Sequence, residues 1–398
     1  MRKIILALYI LFLPFQLKIP QAPVINTTNL FLIILLLLFI ITKNPVKTRL
    51  KFELPLLLFL ILWSISFMHT VFFPRWIWTF EIAVLFKRLI TLVLGYFVFS
   101  KCITNKKELK FIIGIFLISI ALVGLSTIRG GTLAGVNFAD FKRSSGPFGE
   151  DWVAADIAGG FLAIFTPFLL SALLLSRKIL FRLLSFLGVV VCVTGLLTTY
   201  SRGSIVALLL SFIVSILFIL IHQRRITFFS RVTIFVLIIT GLLSWRLWAP
   251  QTIITRMENT IVEDEYDNPV ALDKSSQKRI DIWNAHLALL QTSPVFGIGF
   301  GQSKHMLGVD PHNAFILIAV EMGILGFLAF LWFLWGVFYE ANYLLKTEFM
   351  MVGLGFIGCL SAFMVVNMFY ANFFRDTVAG TFWIALGILS ASKKYAAK

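Results

Sequence analysis

The sequence predicts an all-α polytopic membrane protein, and three observations carry that reading. Of 398 residues, 59% are hydrophobic and only 14% are charged, where a soluble domain has roughly 45–50% apolar and about 25% charged residues. The apolar residues, 42 phenylalanines among them, gather in runs near the ~20 residues that a helix needs to cross a bilayer. The basic residues lie between those runs. Such an apolar excess excludes a soluble enzyme, a disordered tail and a secreted disulfide scaffold.

About twelve candidate spans fit that template: 4–17, 28–42, 54–73, 82–100, 109–128, 156–175, 181–199, 204–221, 230–248, 312–338, 350–370 and 377–392. The opening Met1-Arg2-Lys3 and its apolar run resemble a signal peptide, but Pro14, Lys18 and Pro20 follow without a small-residue cleavage site, so it is kept as a span. With the N-terminus inside, every inside segment carries Lys or Arg. Examples are Arg2 and Lys3, Lys43 to Lys51, Lys101 to Lys110, Arg177 to Arg182, Lys346, and Lys393 to Lys398. This positive-inside pattern gives an N-in/C-in topology. It also accounts for the net charge of +16 without nucleic acid, because no single segment concentrates it. Cys102, Cys192 and Cys359 show no CxxC spacing, so neither a disulfide framework nor a zinc site is implied.

The chain reads as a single integral membrane domain, 1–398, with two long outer loops at 129–155 and 249–311. Long loops on a tight bundle are where function tends to sit. In the larger loop Ile280, Trp283, Leu287 and Leu290 follow helical spacing within Gln277 to Gln291, and Thr292-Ser293-Pro294 ends the helix. A Gly-rich piece from Phe296 to Gly301 comes next. No pair of half-length, Gly/Pro-broken spans suggests transporter repeats.

Four outer features could carry chemistry: Tyr200-Ser201-Arg202-Gly203, Arg279, Asp310-Pro311-His312-Asn313, and Arg143 to Gly149. Arg202 at the membrane boundary reads either as an anchor on lipid phosphate or as a bidentate clamp on a substrate phosphate. Paired with Arg279 it suits a diphosphate. His312 reads either as a local interfacial hydrogen-bonder or as a general base. Its ordinary pKa near 6.5 suits proton abstraction at neutral pH, and nearby arginines are expected to hold it neutral. Arg143 and Asn313 are candidate substrate contacts. Lys87 and Arg88, inside span four, either line an outward cavity or pair with Glu81 or Glu321. Glu321 lies too far along the helix from His312 to share a hydrogen bond and reads as a structural partner for a basic group. The acidic run Glu263 to Asp267 reads as a solvated loop. No metal site, Walker A loop or DxD pair is found.

These segments resemble the O-antigen ligase and O-antigen polymerase family of bacterial membrane glycosyltransferases. The resemblance rests, in order, on RSSGPFGEDWVAADIAGGFLAIFTPF from Arg143, TYSRGSIVAL from Thr199, RIDIWNAHLALLQTSPVFGIGFG from Arg279, and HNAFILIAVEMGILG from His312. It implies metal-independent and cofactor-free glycan transfer at the outer, periplasmic face of the bacterial inner membrane. The implied donor is a glycan on undecaprenyl diphosphate. The acceptor is lipid A–core for a ligase, or another lipid-linked glycan for a polymerase. The family's important Arg, Arg and His match Arg202, Arg279 and His312. A transporter for lipid-linked glycans, or a structural subunit of an export complex, are the competing readings from other classes.

Overall fold

The computed structural model describes residues 2–15, 50–72, 80–133, 143–149, 152–222 and 274–396, together with short segments at 18–19, 22–26, 261–263 and 269–272 and a few single positions. In chain order the helices are α1 (Arg2–Phe12), α2 (Glu53–Phe72), α3 (Phe80–Cys102), α4 (Lys106–Leu133), α5 (Trp152–Leu175), α6 (Ile179–Thr198), α7 (Arg202–His222), α8 (Lys274–Thr292), α9 (Gln302–Leu307), α10 (Ala314–Leu344), α11 (Met350–Phe369) and α12 (Asp376–Ala396). Two short antiparallel ribbons, Lys18–Ile19 with Ala22–Asn26 and Ile261–Glu263 with Pro269–Leu272, are the strands among the described residues.

Seven of these helices, α2, α4, α5, α6, α7, α10 and α11, are long and apolar enough to cross a membrane among the described residues. The protein is therefore a helical polytopic membrane protein. Three further expected spans coincide with helices that are not among these seven. The first is an 11-residue helix, too short to cross on its own. The fourth lies in the 23-residue α3, whose side chains are described mainly from Val93 to Cys102. The last lies in α12, a buried helix of more mixed composition. The expected spans 28–42, apart from a few single positions, and 230–248 lie outside the described residues. The ends of the shorter outer loop, read as 129–155, are helical, since α4 runs to Leu133 and α5 starts at Trp152.

Small residues set how closely the helices approach. α5 is the central helix, with 83% of its apolar window buried, whereas α6 has 28% and turns Leu183, Leu184 and Leu187 outward. That outward face is what a lipid solvent accepts. α11 packs on α5 and α7, and a side chain at Gly355 or Gly358 would strike Phe168, Pro167 or Ser215. Close backbone approach through small residues is the usual packing device in membranes. Between α10, α11 and α12, Phe330, Phe333, Phe363, Phe373, Phe382 and Trp383 form one buried aromatic cluster.

The helix ends sort their charges. At one end Arg2 pairs with Glu108, Lys106 with Glu348, and Lys393 with Glu340, whose other oxygen accepts from the Lys51 N–H at 2.6 Å. These residues come from segments that the sequence assigns to a single side. The opposite end gathers the 143–149 segment, the Thr199–Arg202 turn, α8, His312 and the α11–α12 turn.

α10, which covers the expected span ten, is interrupted. Gly323 has φ +70° within it. The Gly-rich segment after α8 lies against the break and supplies the missing partners. Ile298 and Gly299 N–H donate to the carbonyls of Val320 and Glu321, and Ile324 N–H donates to Pro294 O, at 2.9, 3.2 and 2.9 Å. Irregular backbone within a membrane bundle survives only when protein satisfies it in this way. Among the described residues Glu321 forms no ion pair. Its carboxylate accepts from the Ser303 hydroxyl at 2.7 Å, and its carbonyl accepts from Ser66 at 2.6 Å.

A Cβ at Gly323 would collide with the Val295 carbonyl, and its backbone at φ +70°, ψ −175° is a region essentially reserved for glycine that costs other residues roughly 1–3 kcal/mol before any clash. Gly323→Ala is therefore expected to lower the thermal midpoint and the yield of monodisperse protein. Gly114→Ala, in α4 with open space around it, is expected to be neutral or slightly stabilising.

Candidate active site

A polar cavity of about 110 Å³ opens at the end where these segments meet. Arg143, Asp156, Tyr200, Arg202, Arg279 and Tyr370 line it, with Ser201, Gly203, Ser204 and Asn372. Four chain segments far apart in sequence build this one wall.

The Thr199–Ser204 turn supplies Arg202. Ser201 lies at the start of α7, with its hydroxyl 3.0 Å from that of Ser204 and its carbonyl accepting from Ile205 N–H. Arg202 is the first residue of α7, so the positive end of the helix dipole and a guanidinium face the same cavity. The turn fits there because Gly159 of α5 has no side chain. A Cβ at Gly159 would crowd Ser201, Thr199 and Ser204.

Arg279 comes from α8, the loop helix that the sequence places at Gln277 to Gln291. One turn later Trp283 donates its indole N–H to Pro311 O at 2.9 Å, so the helix is tied to the residue before His312. Residues four apart share a helix face, which turns Arg279 toward the same place. His286, two turns along, is buried with Nδ1 2.8 Å from Ile282 O. Its pKa is lowered, chiefly by burial, and it packs away from the cavity lining.

His312 stacks on Tyr370, ring centroids 5.5 Å apart, and so stands beside the cavity that Tyr370 lines. Its backbone N–H donates to Asp310 Oδ1 at 3.0 Å. Its pKa is lowered from the ordinary 6.5, first by burial; Arg279 and Arg375 push the same way, while Asp310 and Asp156 oppose. Arginines do help to hold this ring neutral, and burial is the larger cause. Tyr200 and His312, both at φ +52°, are the non-glycine residues with left-handed backbone among the described residues. Strained backbone gathers at functional sites.

Arg143 reaches the cavity, but its donors are already engaged. Its guanidinium grips Asp156 through two hydrogen bonds at 2.5 and 3.2 Å, and Nε donates to Thr199 O at 2.7 Å. It holds the loop and the Thr199 turn onto α5. Asn313 is likewise engaged: its Oδ1 accepts from Phe315 and Ile316 N–H at 2.9 and 3.1 Å as the N-cap of α10. Lys87 and Arg88 lie in α3, and their side chains fall outside the described residues.

Sequence reasoning missed Asp156, Tyr370, Asn372 and Arg375. Asp156 carried a signal, a carboxylate opening an apolar run, which calls for a partner. The other three sit at the outer end of span eleven and in the link that follows it, and only that shared side pointed to them. Arg375 lies over the Tyr370 ring, 5.4 Å from its centroid, and donates to its hydroxyl at 3.2 Å. Tyr370 thus contacts both the Arg375 cation and the His312 imidazole. Among the described residues no group of three His, Cys, Asp or Glu side chains has the arrangement of a metal site.

Residues 187–331 match a family model described as O-antigen ligase. The matched stretch contains Arg202, Arg279 and His312, and leaves Arg143, Asp156 and the α11–α12 turn outside it. The family resemblance read from the sequence holds over this stretch. No match is found among curated proteins.

Proposed function

We propose that this chain, a member of the O-antigen ligase and polymerase family by its 187–331 segment, is a membrane glycosyltransferase of the ligase type. It moves a glycan from undecaprenyl diphosphate to a hydroxyl of lipid A–core at the outer face of the bacterial inner membrane. The observation that carries the reading is the convergence of Arg202, Arg279 and the first turn of α7 on one polar cavity, with a neutral imidazole beside it.

The chemistry follows from the charges. The acceptor hydroxyl attacks the anomeric carbon with inversion, and His312 takes the hydroxyl proton. The bond from that carbon to the diphosphate oxygen breaks, and the electron pair leaves with undecaprenyl diphosphate. Arg202 and Arg279 bind the diphosphate and stabilise the charge that grows on it, as preorganised donors do best in a site shielded from water. No metal or cofactor is required. Lower in the bundle α7, α10 and α11 line an open apolar groove of about 330 Å³, suited to part of the prenyl tail.

The test uses purified protein, lipid-linked glycan and EDTA, with and without lipid A–core. Glycan joined to lipid A–core supports the ligase. Lengthening of the donor alone supports the polymerase, which the same site would serve. No transfer by folded protein in either tube returns the question to a transporter.

The pH profile checks the base. A lowered His312 pKa leaves the ring neutral at pH 7, so transfer is expected to fall only as pH drops below the ordinary histidine value near 6.5. Arg375→Ala removes a cation that depresses the pKa, so the acid limb moves to higher pH. Asp310→Asn removes an anion that raises it but keeps the Oδ1 acceptor, so the limb moves lower. Limbs of kcat/KM that shift in the same direction, or not at all, would overturn His312 as base.

A further inference from the structure

The α11–α12 turn holds a polar side chain that neither the fold nor the proposed chemistry has used. Asn372 is fully buried, lines the cationic cavity, and has no hydrogen-bond partner for Nδ2 or for Oδ1 among the described residues. A buried carboxamide without partners costs free energy. The turn does not need it, because the local bonds are made by the backbone: Asn372 N–H donates to Tyr370 O at 2.7 Å, and Asn372 O accepts from Arg375 N–H at 3.0 Å. Room for the side chain is nevertheless kept, since Gly160 of α5 lies against it and a Cβ there would collide with Nδ2.

We propose that Asn372 is a sugar-binding residue of the donor site. This rests on the glycosyltransferase reading above. The argument is one of complementarity. The diphosphate is an acceptor throughout, and the guanidinium donors of Arg202 and Arg279 already suit it. A phosphate oxygen cannot satisfy Oδ1, which needs a donor, while Nδ2 needs an acceptor. A sugar hydroxyl, or an acetamido group with its adjacent N–H and C=O, offers both at once. In a donor whose diphosphate lies against Arg202, the first sugar is the part that carries such groups. Asn372 therefore contacts the sugar next to the bond that breaks, and selects donors that bear one.

The test measures binding of three lipids to full-length protein in nanodiscs: undecaprenyl diphosphate, its glucose conjugate and its N-acetylglucosamine conjugate. Wild type is expected to hold at least one conjugate more tightly than the bare lipid. Asn372→Ala is expected to weaken that conjugate about tenfold and to leave the bare lipid within about twofold. Asn372→Leu, which fills the same space without polar atoms, is expected to lose the conjugate equally while raising the thermal midpoint, because an unpartnered buried amide is removed. Equal weakening of all three lipids, unchanged conjugate binding, or a lower midpoint in the leucine variant would each overturn the assignment and make Asn372 a phosphate contact or a packing residue. If wild type binds none of the lipids, the glycosyltransferase reading itself fails, and this assignment with it.

Discussion

Replacing His312 with asparagine is expected to lower glycan transfer by about a hundred- to ten-thousandfold, the range that a positioned general base contributes, with donor binding little changed. Asparagine is the informative substitution because of the backbone. His312 sits at φ +52°, where Asn is several-fold enriched among non-glycine residues and Ala is not. An alanine variant would mix the loss of the base with strain in the segment that Trp283 holds in place. The asparagine variant keeps the loop geometry and cannot accept a proton at neutral pH. It is checked by single-turnover transfer beside equilibrium binding of the lipid-linked donor. Wild-type turnover in the asparagine variant would remove His312 from the reaction and leave the Tyr370 stack as packing alone.

Arg202→Ala and Arg279→Ala are each expected to lower kcat/KM by about a hundred- to a thousandfold, the usual effect of losing one donor to a developing oxyanion. Lysine should rescue them poorly, because it presents a point charge where the diphosphate meets a planar fork. The pair should also be non-additive. Both cations serve one leaving group, so the double variant should lose less than the product of the single losses. A membrane anchor behaves differently. If Arg202 holds only a lipid headgroup, its removal would alter the thermal midpoint and leave kcat/KM nearly untouched. A loss below about twofold in well-folded protein would establish that reading.

Both predictions start from residues that the amino-acid pattern singles out. Arg202 and His312 are legible because each is polar at the margin of an apolar run, where an unneeded polar group is costly. Arg279 is legible because the 3–4 spacing of Ile280, Trp283 and Leu287 marks a helix, and the same helix places Arg279 on a defined face. Arg143 and Asn313 are drawn into the site by the same logic. There the structure supplies what spacing cannot: Asp156 and the Thr199 carbonyl occupy one, and the first turn of α10 occupies the other. The break in α10 is hidden for a similar reason. A glycine in an apolar run reads as one more helical residue until the segment that satisfies the opened backbone is seen beside it, and that segment begins nearly thirty residues earlier, around Pro294.

The sequence by itself determined that this protein is a helical membrane bundle, that its candidate site residues lie at the ends of spans, and that a helix in the long loop carries one of them. Composition and periodicity are local quantities, and a lipid solvent makes them decisive. The tertiary structure alone decided which cations meet in the cavity, which are already engaged, and where a buried carboxamide waits without a partner. Those outcomes depend on contacts between segments distant in the chain, held at fixed distances by glycines such as Gly159 and Gly160 in α5, and no local pattern encodes them.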